Sequence, residues 1–557
     1  MPTEQTKPRN AKRASQSPVV PAPRAPWWQS TLAIALAGQA LLCAALPPWA
    51  LSPLAWLAAI PWVILIRRPM LAGKRPYAML WLSSFIFWLS ALHWVTLPHW
   101  ATGFGLLAVS FYLAFYFAMF IGLSRVAVHL WRISPIVAVP VVWTGLEWAR
   151  AHFLGGFTMA GVSHTQYRWP LLLQICDVLG EFGLSFVIVL TGTCLAYLIP
   201  AGGQRRAWWP LLLAACVLAA VLGYGVWRMG QETTHPGPEV ALVQGSIDID
   251  MKYDPRQGQE IFDQYYGLSR KAVNAHPNLQ LIVWPETMFR EPWYTFDKDY
   301  QPPATVRWTP EQIEARSRLA IESTVVRLDV PCLIGVDTIN YTAHGIENYN
   351  SALFANREGD IVARYDKCHL VPFGEYVPFA DTFPWLYRLT PLPGGSLAGD
   401  KPLAIEAGGA RFAINICYEN TLGHFIAGQI NQLRSEGRPP DVLVNLTNDG
   451  WFWGSAELDL HLACAVFRAV ECRKPFLIAA NTGFSAWINS NGQIVAQGPR
   501  RATDVIVATP AIDSRGSWYL DHGDKPAAVC FLAVAALALA GLRQRRQDRQ
   551  KPTATSA

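Results

Sequence analysis

A chain of 557 residues that is 52% hydrophobic and only 15% charged is too apolar for an ordinary soluble protein, while its mean hydropathy of +0.18 is too low for one lying wholly in lipid. Its 41 Gly, 41 Pro and 24 Trp exclude a disordered or coiled-coil chain and leave a mixture of membrane and soluble parts. The net charge of +6 does not mark a nucleic-acid binder, because Lys and Arg cluster beside apolar runs instead of lining a soluble face.

Residues 1–29 form a basic tail carrying Lys7, Arg9, Lys12, Arg13 and Arg24, and no small-residue cleavage site follows it. The next apolar run is therefore expected to be an uncleaved membrane span. Runs of about 18 residues or more without interior charge predict membrane helices at 30–47, 49–66, 78–98, 103–123, 133–149, 182–199 and 208–227. Together these make a seven-helix membrane domain over 30–227, and an eighth helix at 526–542 precedes a second basic tail, 543–557. Loops after the even helices carry Arg67, Arg68, Lys74 and Arg75, then Arg125 and Arg132, while the turns near Pro47 and Pro98 carry none. Since basic loops stay inside, both termini are expected in the cytoplasm and the segment 228–525 in the periplasm of a bacterial inner membrane.

Four charged residues, Glu147, Arg150, Asp177 and Glu181, fall at the predicted outer ends of the fifth and sixth helices. Ionisable groups at that depth are either functional or interfacial side chains that snorkel toward the headgroups, and residue type does not choose between the two. The Gly-rich aromatic stretch 153–169 between them is expected to be a re-entrant loop.

The periplasmic segment alternates amphipathic stretches with apolar runs at 240–243, 281–284, 332–336, 412–416, 442–446 and 476–480. Several of these runs are continuous, as strands covered on both faces require, so a layered α/β domain is predicted. Dinucleotide, Walker, HExxH and GxSxG fingerprints are missing from the segment. Five of the ten cysteines sit in or beside apolar spans, and Cys332, Cys368, Cys417, Cys464 and Cys472 show no metal-ligand or paired spacing. Neither a metal nor another cofactor is expected.

Three reactive residue types fall at or near strand ends. Glu286 follows 281–284 in Trp-Pro-Glu-Thr, where Pro285 stops the ladder; Lys367 lies in the Pro- and Gly-broken stretch 365–378; Cys417 ends the run 412–416. Each alone is ordinarily structural. Together they form a set, because a thiol with an ordinary pKa of about 8.5 needs a base or a cation to become a nucleophile. Glu286 can be that base and Lys367 that cation, and Lys367 with the backbone N–H of Tyr418 can hold an oxyanion.

The blocks Trp-Pro-Glu-Thr, Tyr-Asp-Lys-Cys-His-Leu-Val-Pro-Phe-Gly-Glu-Tyr-Val-Pro and Ile-Cys-Tyr-Glu-Asn resemble the three catalytic blocks of the nitrilase superfamily. Placed on an eight-helix frame, they are similar to the apolipoprotein N-acyltransferase family from about residue 30 to 542. The resemblance implies a polytopic helical bundle with an αββα sandwich domain, Glu286 as base, Lys367 as oxyanion partner, Glu375 as support for Lys367, and Tyr418 and Glu419 shaping the site. Tyr253 stands where that family more often has Trp, which weakens any expected gating role for its ring. Cys368 stands beside Lys367 where Asn, His or Arg is more common, and it is expected to be inert. The implied reaction moves an acyl chain from a phospholipid, through a Cys417 thioester, to the α-amine of a diacylglyceryl-cysteine apolipoprotein, carried out by a monomer in the bilayer. Two rivals remain at this level: a membrane-anchored amidase or nitrilase with water as acceptor, and a non-catalytic lipid-binding or transport protein.

Overall fold

The computed structural model describes residues 26–201, 205–231, 233–254, 256–303, 307–380, 382–389 and 394–550, so most of the first basic tail and the last seven residues lie outside the described residues. The membrane part runs through α1 (Thr31–Ala45), α2 (Ala55–Arg67), α3 (Pro76–Ala91), α4 (Thr102–Arg125), α5 (Pro135–His152), the single turn α6 (Pro170–Leu173), α7 (Cys176–Ala196) and α8 (Trp209–Met229). Four helices, Thr102–Leu130, Cys176–Ala196, Trp209–Met229 and Lys525–Gln547, are long and apolar enough to cross a membrane. The first three are shorter apolar helices, and α5 has 18 residues but carries Glu147 and Arg150.

The helix predicted at 182–199 begins instead at Cys176 and is broken at Gly180, whose φ of +65 is open to glycine. A Cβ at that position would lie 2.6 Å from the Tyr519 ring. The break also frees the N–H of Glu181, which donates to Glu471 Oε1 at 2.8 Å. Asp177 and Glu181 therefore do not snorkel. Both are buried and pair with arginines of the α/β domain: Asp177 with Arg473 at 2.7 Å and Glu181 with Arg468 at 3.0 Å.

The α/β domain opens with β1 (Thr234–His235), β2 (Val240–Gln244), the turn α9 (Ile249–Lys252), α10 (Gly258–Ala275), β3 (Leu281–Trp284), β4 (Trp293–Phe296), α11 (Pro310–Leu328), β5 (Cys332–Thr342), β6 (Gly345–Ala355) and β7 (Ile361–Asp366). It continues with β8 (Ala404–Ala407), β9 (Ala410–Ile416), α12 (Gly423–Ser435), β10 (Val442–Thr447), α13 (Glu457–Cys472), β11 (Phe476–Ala480), β12 (Ala486–Ile488), β13 (Ile494–Gln497), β14 (Asp504–Ala508) and β15 (Ile512–Asp513). The short α14 (Trp518–His522) then leads back to the last apolar helix, α15 (Lys525–Gln550). All six predicted apolar runs are strands.

Beside a two-stranded β1-β15 ribbon there are two large sheets, one with the order β14-β2-β3-β5-β6-β7 and β4 added beside β5, the other β13-β12-β11-β10-β9-β8. Parallel pairs form the centre of each (β2 with β3, β3 with β5, β9 with β10, β10 with β11), and antiparallel strands close the edges. The sheets pack face to face through residues such as Leu242, Val283 and Leu333 against Phe412, Ile414 and Val444. The outer face of the first is covered by α10 and α11, with Ile261, Tyr265, Ile321 and Val325 against Val243 and Trp284. This is the αββα sandwich.

The outer layer of the second sheet has a different neighbour. Helix α13 is buried all round, and its Leu462, Val466 and Phe467 belong to one continuous apolar core with Val162, Leu184 and Ile188 of the membrane part. The buried Asp177–Arg473 and Glu181–Arg468 pairs cross that seam. Removing one partner of such a pair leaves a buried charge unpaired, at a cost of about 3–5 kcal/mol. Arg473→Ala should therefore markedly lower the thermal unfolding midpoint of the detergent-solubilised protein. Arg434→Ala, whose partner Asp521 is exposed, should change it little.

Candidate active site

Strand β3 stops at Trp284, and Glu286 turns into the gap between the sheets' ends. Gly335 on β5 permits this, because a Cβ there would meet Pro285 O at 2.2 Å and Glu286 Cα at 2.7 Å. The Glu286 carboxylate is buried and held from two sides: Asn350 Nδ2 donates to Oε1 at 2.6 Å and the N–H of Asn448 to Oε2 at 2.9 Å. Lys367, the residue after β7, is 1% exposed. Its ammonium donates to Glu375 Oε1 at 2.7 Å and lies 3.6 Å from Glu286 Oε1. Glu375 is fixed in turn by Asn350 Nδ2 at 3.2 Å and the N–H of Val371 at 2.8 Å. Burial works against the charge of Lys367, but the Glu375 and Glu286 carboxylates outweigh it and raise the lysine above its ordinary range.

Cys417 follows β9 with φ +52, a left-handed conformation costly for a residue with a side chain. Two groups grip its carbonyl: Asn445 Nδ2 at 3.1 Å and His461 Nε2 at 3.2 Å. Its thiol is pushed well above the ordinary range by burial and then by the Glu286 charge, with Lys367 opposing. At rest the sulfur therefore keeps its proton, and a nearby base is required to remove it during reaction.

Glu419 ties these parts together. Its carboxylate accepts from the N–H groups of Ile416 (2.7 Å), Cys368 (2.7 Å) and His369 (2.9 Å) and from Tyr365 Oη (2.8 Å). One side chain thus sets the distance between the end of β9, which carries Cys417, and the end of β7, which carries Lys367. Burial pushes its carboxyl up to about 7 despite these bonds. Tyr418 turns away from the cluster and donates to Gly156 O at 2.8 Å, while His369 Nε2 donates to Gly155 O at 3.1 Å. The stretch 153–169 therefore docks on the site's own loops. Thr158 Oγ1 adds a bond to Thr421 O at 2.7 Å.

Tyr253 does not join the cluster. It is 60% exposed, with its ring 5.7 Å from that of Trp451. Phe373, Phe379 and Trp453 are also exposed. Cys368 points elsewhere, its sulfur donating to Asp366 O at 3.3 Å, and burial with the neighbouring Glu419 charge pushes it up to about 12.

Asn350, Asn445 and Asn448 carry no reactive group, and His461 stands alone without a recognisable motif, so reading by reactive type and spacing passes over all four. The available signal was a polar Asn inside the apolar run 442–446. His461 lies within reach of Asp449 and Glu457, and the three offer donor atoms within 4.8 Å of one another. Its two nitrogens, however, face Asp449 Oδ1 and Cys417 O, both acceptors, so the ring donates from both. Burial opposes that charge, but Asp449 keeps the imidazole at about 9, and the group is a hydrogen-bonded brace.

Residues 38–194 match the family model of the apolipoprotein N-acyltransferase N-terminal domain, and residues 239–519 that of carbon-nitrogen hydrolase. An apolipoprotein N-acyltransferase of Rhodopirellula baltica is 31% identical over 89% of this chain and 94% of its own length. Those of Geobacter metallireducens and Chlorobaculum tepidum are 32% and 28% identical, each over 91% of this chain and 94% and 95% of their own lengths. With an N-terminal membrane domain and a carbon-nitrogen hydrolase sandwich matched in the same order over most of its length, the chain belongs to the apolipoprotein N-acyltransferase family.

Proposed function

We propose that the protein moves a fatty acyl chain from a membrane phospholipid to the α-amine of a diacylglyceryl-cysteine lipoprotein in two half-reactions. The observation that carries this reading is the buried Glu286–Lys367 pair beside the strained Cys417, on loops bonded directly to the membrane part. In the first half, Glu286 takes the thiol proton as sulfur attacks the ester carbonyl. Lys367 and the N–H of Tyr418 balance the oxyanion. Collapse forms the thioester, and Glu286 returns the proton to the departing lysophospholipid oxygen. In the second half, the amine attacks the thioester, Glu286 takes the amine proton, and collapse to the amide sends it back to sulfur.

Both substrates carry chains whose exposure to water costs about 0.8 kcal/mol per CH₂, so the reaction belongs at the bilayer surface. Exposed Phe373, Phe379 and Trp453 are suited to lie in that surface as amphipathic anchors. Given phospholipid alone, the enzyme should gain the mass of one acyl group on Cys417. A diacylglyceryl-cysteine peptide should then discharge it, in ping-pong fashion. Steady release of free fatty acid without peptide acylation would make water the acceptor and replace this reading with a hydrolase.

The reading also places eight helices across the bacterial inner membrane, both termini in the cytoplasm, the sandwich in the periplasm and one chain as the working unit. Exposed Glu358 lies in the sandwich and exposed Lys74 in the loop after α2. In a background depleted of accessible native thiols, Glu358→Cys should react with an impermeant thiol reagent on spheroplasts, and Lys74→Cys only after lysis. The opposite pattern would invert the topology.

A further inference from the structure

Away from the catalytic cluster, three segments far apart in sequence converge: His152 at the end of α5, His424 in the first turn of α12, and Asp524 just before α15. One imidazole nitrogen from each His and a carboxylate oxygen of Asp524 lie within 4.8 Å of one another. The imidazole rings stack, their centroids 4.3 Å apart.

The hydrogen bonds around this cluster have a definite sense. His152 Nδ1 is 2.8 Å from Trp148 O, which only accepts, so Nδ1 carries a hydrogen and Nε2 is the nitrogen left to face the cluster. Nε2 lies 3.4 Å from Asp524 Oδ2. Asp524 is more than nine-tenths buried; Tyr519 Oη donates to its Oδ1 at 2.7 Å, and its Oδ2 has no hydrogen-bond partner among the described residues. A buried carboxylate oxygen without a hydrogen-bond partner thus faces a ring nitrogen, an arrangement that calls for a proton or a metal cation between them. A proton shared by His152 and Asp524 would leave His424 without a role. His424 makes no hydrogen bond to a described residue, so no other partner competes for its ring nitrogens.

We propose that His152, His424 and Asp524 bind a divalent transition-metal ion, zinc by donor type, at the junction of the membrane part and the catalytic domain. Two imidazoles and a carboxylate are a borderline donor set of the kind zinc takes, with a fourth position left to water. The partners behind the donors fit as well: a ligating histidine normally donates its other N–H to a carbonyl or carboxylate, as His152 does to Trp148 O, and a ligating carboxylate is itself hydrogen-bonded, as Asp524 is by Tyr519. Bound there, the ion would clamp α5 and α15 to α12. Residue spacing gives no hint of this site, since its three members come from three distant segments.

The test uses the full-length protein in detergent, stripped with chelator and titrated with cobalt(II) or zinc(II) alone. One equivalent should bind and raise the unfolding midpoint. The cobalt protein should show visible bands of a low-coordinate N/O site without thiolate-to-cobalt charge transfer. His424→Ala and Asp524→Asn should each weaken binding by at least about tenfold, while Cys368→Ala should leave it unchanged. Failure of the wild-type protein to take up metal would overturn the proposal and leave a proton between His152 and Asp524. Undiminished uptake by both variants, or a thiolate band in the wild-type cobalt spectrum, would overturn it as well. Because that spectrum is read on the wild-type chain, the outcome does not depend on the variants folding.

Discussion

Cys417→Ala and Cys417→Ser should each lower acyl transfer to a diacylglyceryl-cysteine peptide by about 10⁴-fold or more, with the unfolding midpoint nearly unchanged. On the proposed reading, alanine removes the sulfur that would carry the thioester. Serine keeps an attacking atom, but its hydroxyl pKa lies far above even the raised thiol of Cys417, and a carboxylate base matched to sulfur cannot deprotonate it. The strained φ of +52 is set by the grip of Asn445 and His461 on the Cys417 carbonyl, and that grip does not involve the sulfur, so the fold should tolerate both changes. Cys368→Ala should keep most of the activity, because its thiol is bonded to Asp366 O and not directed at the cluster. A dead Cys368→Ala beside an active Cys417→Ala, measured by mass spectrometry of the peptide, would show that the reacting sulfur has been misassigned.

Glu286→Gln should reduce kcat by about 10²–10⁴-fold, the usual worth of a positioned base. The variant also separates two roles that activity alone confuses. The Glu286 charge pushes the Cys417 thiol up, whereas Lys367 pulls it down. Removing that charge while keeping the amide's shape should make thiolate more available, so alkylation of Cys417 by iodoacetamide at fixed pH should be as fast as in the wild type, or faster. Acyl transfer should nevertheless collapse, because no group remains to shuttle the proton between sulfur, leaving oxygen and amine. If alkylation and acyl transfer fall by the same factor together with the unfolding midpoint, Glu286 only holds Asn350 and the loop of Asn448 in place.

Much of the architecture was legible from residue order, because the relevant signals are local. Apolar length marked the helices, continuous β-rich runs marked all six predicted strands, and Pro285 marked where β3 had to end. The reactive residues Glu286, Lys367 and Cys417 were visible for the same reason: each follows a strand or breaks a regular element. Helix α7 was misjudged at its start. An uncharged run stops at Asp177 and Glu181, whose arginine partners lie almost 300 positions further along the chain.

What residue order could not supply was pairing across long separations. Whether Asp177 and Glu181 would snorkel or anchor depended on whether a cation came to meet them, and Arg473 and Arg468 do so only because α13 packs against α7 in a shared apolar core. The braces of the site have the same origin: Asn350, Asn445, Asn448 and His461 act through position, and Glu419 matters because its one carboxylate reaches donors on two strand ends. The junction of His152, His424 and Asp524 is the extreme case, with no spacing to reveal it. Local composition sets which elements form, because backbone preference and burial act over a few residues. The chemistry of a buried charge or lone pair is set by whatever the fold brings within about 3–4 Å of it, since the cost of leaving it unpaired rises steeply once water is gone.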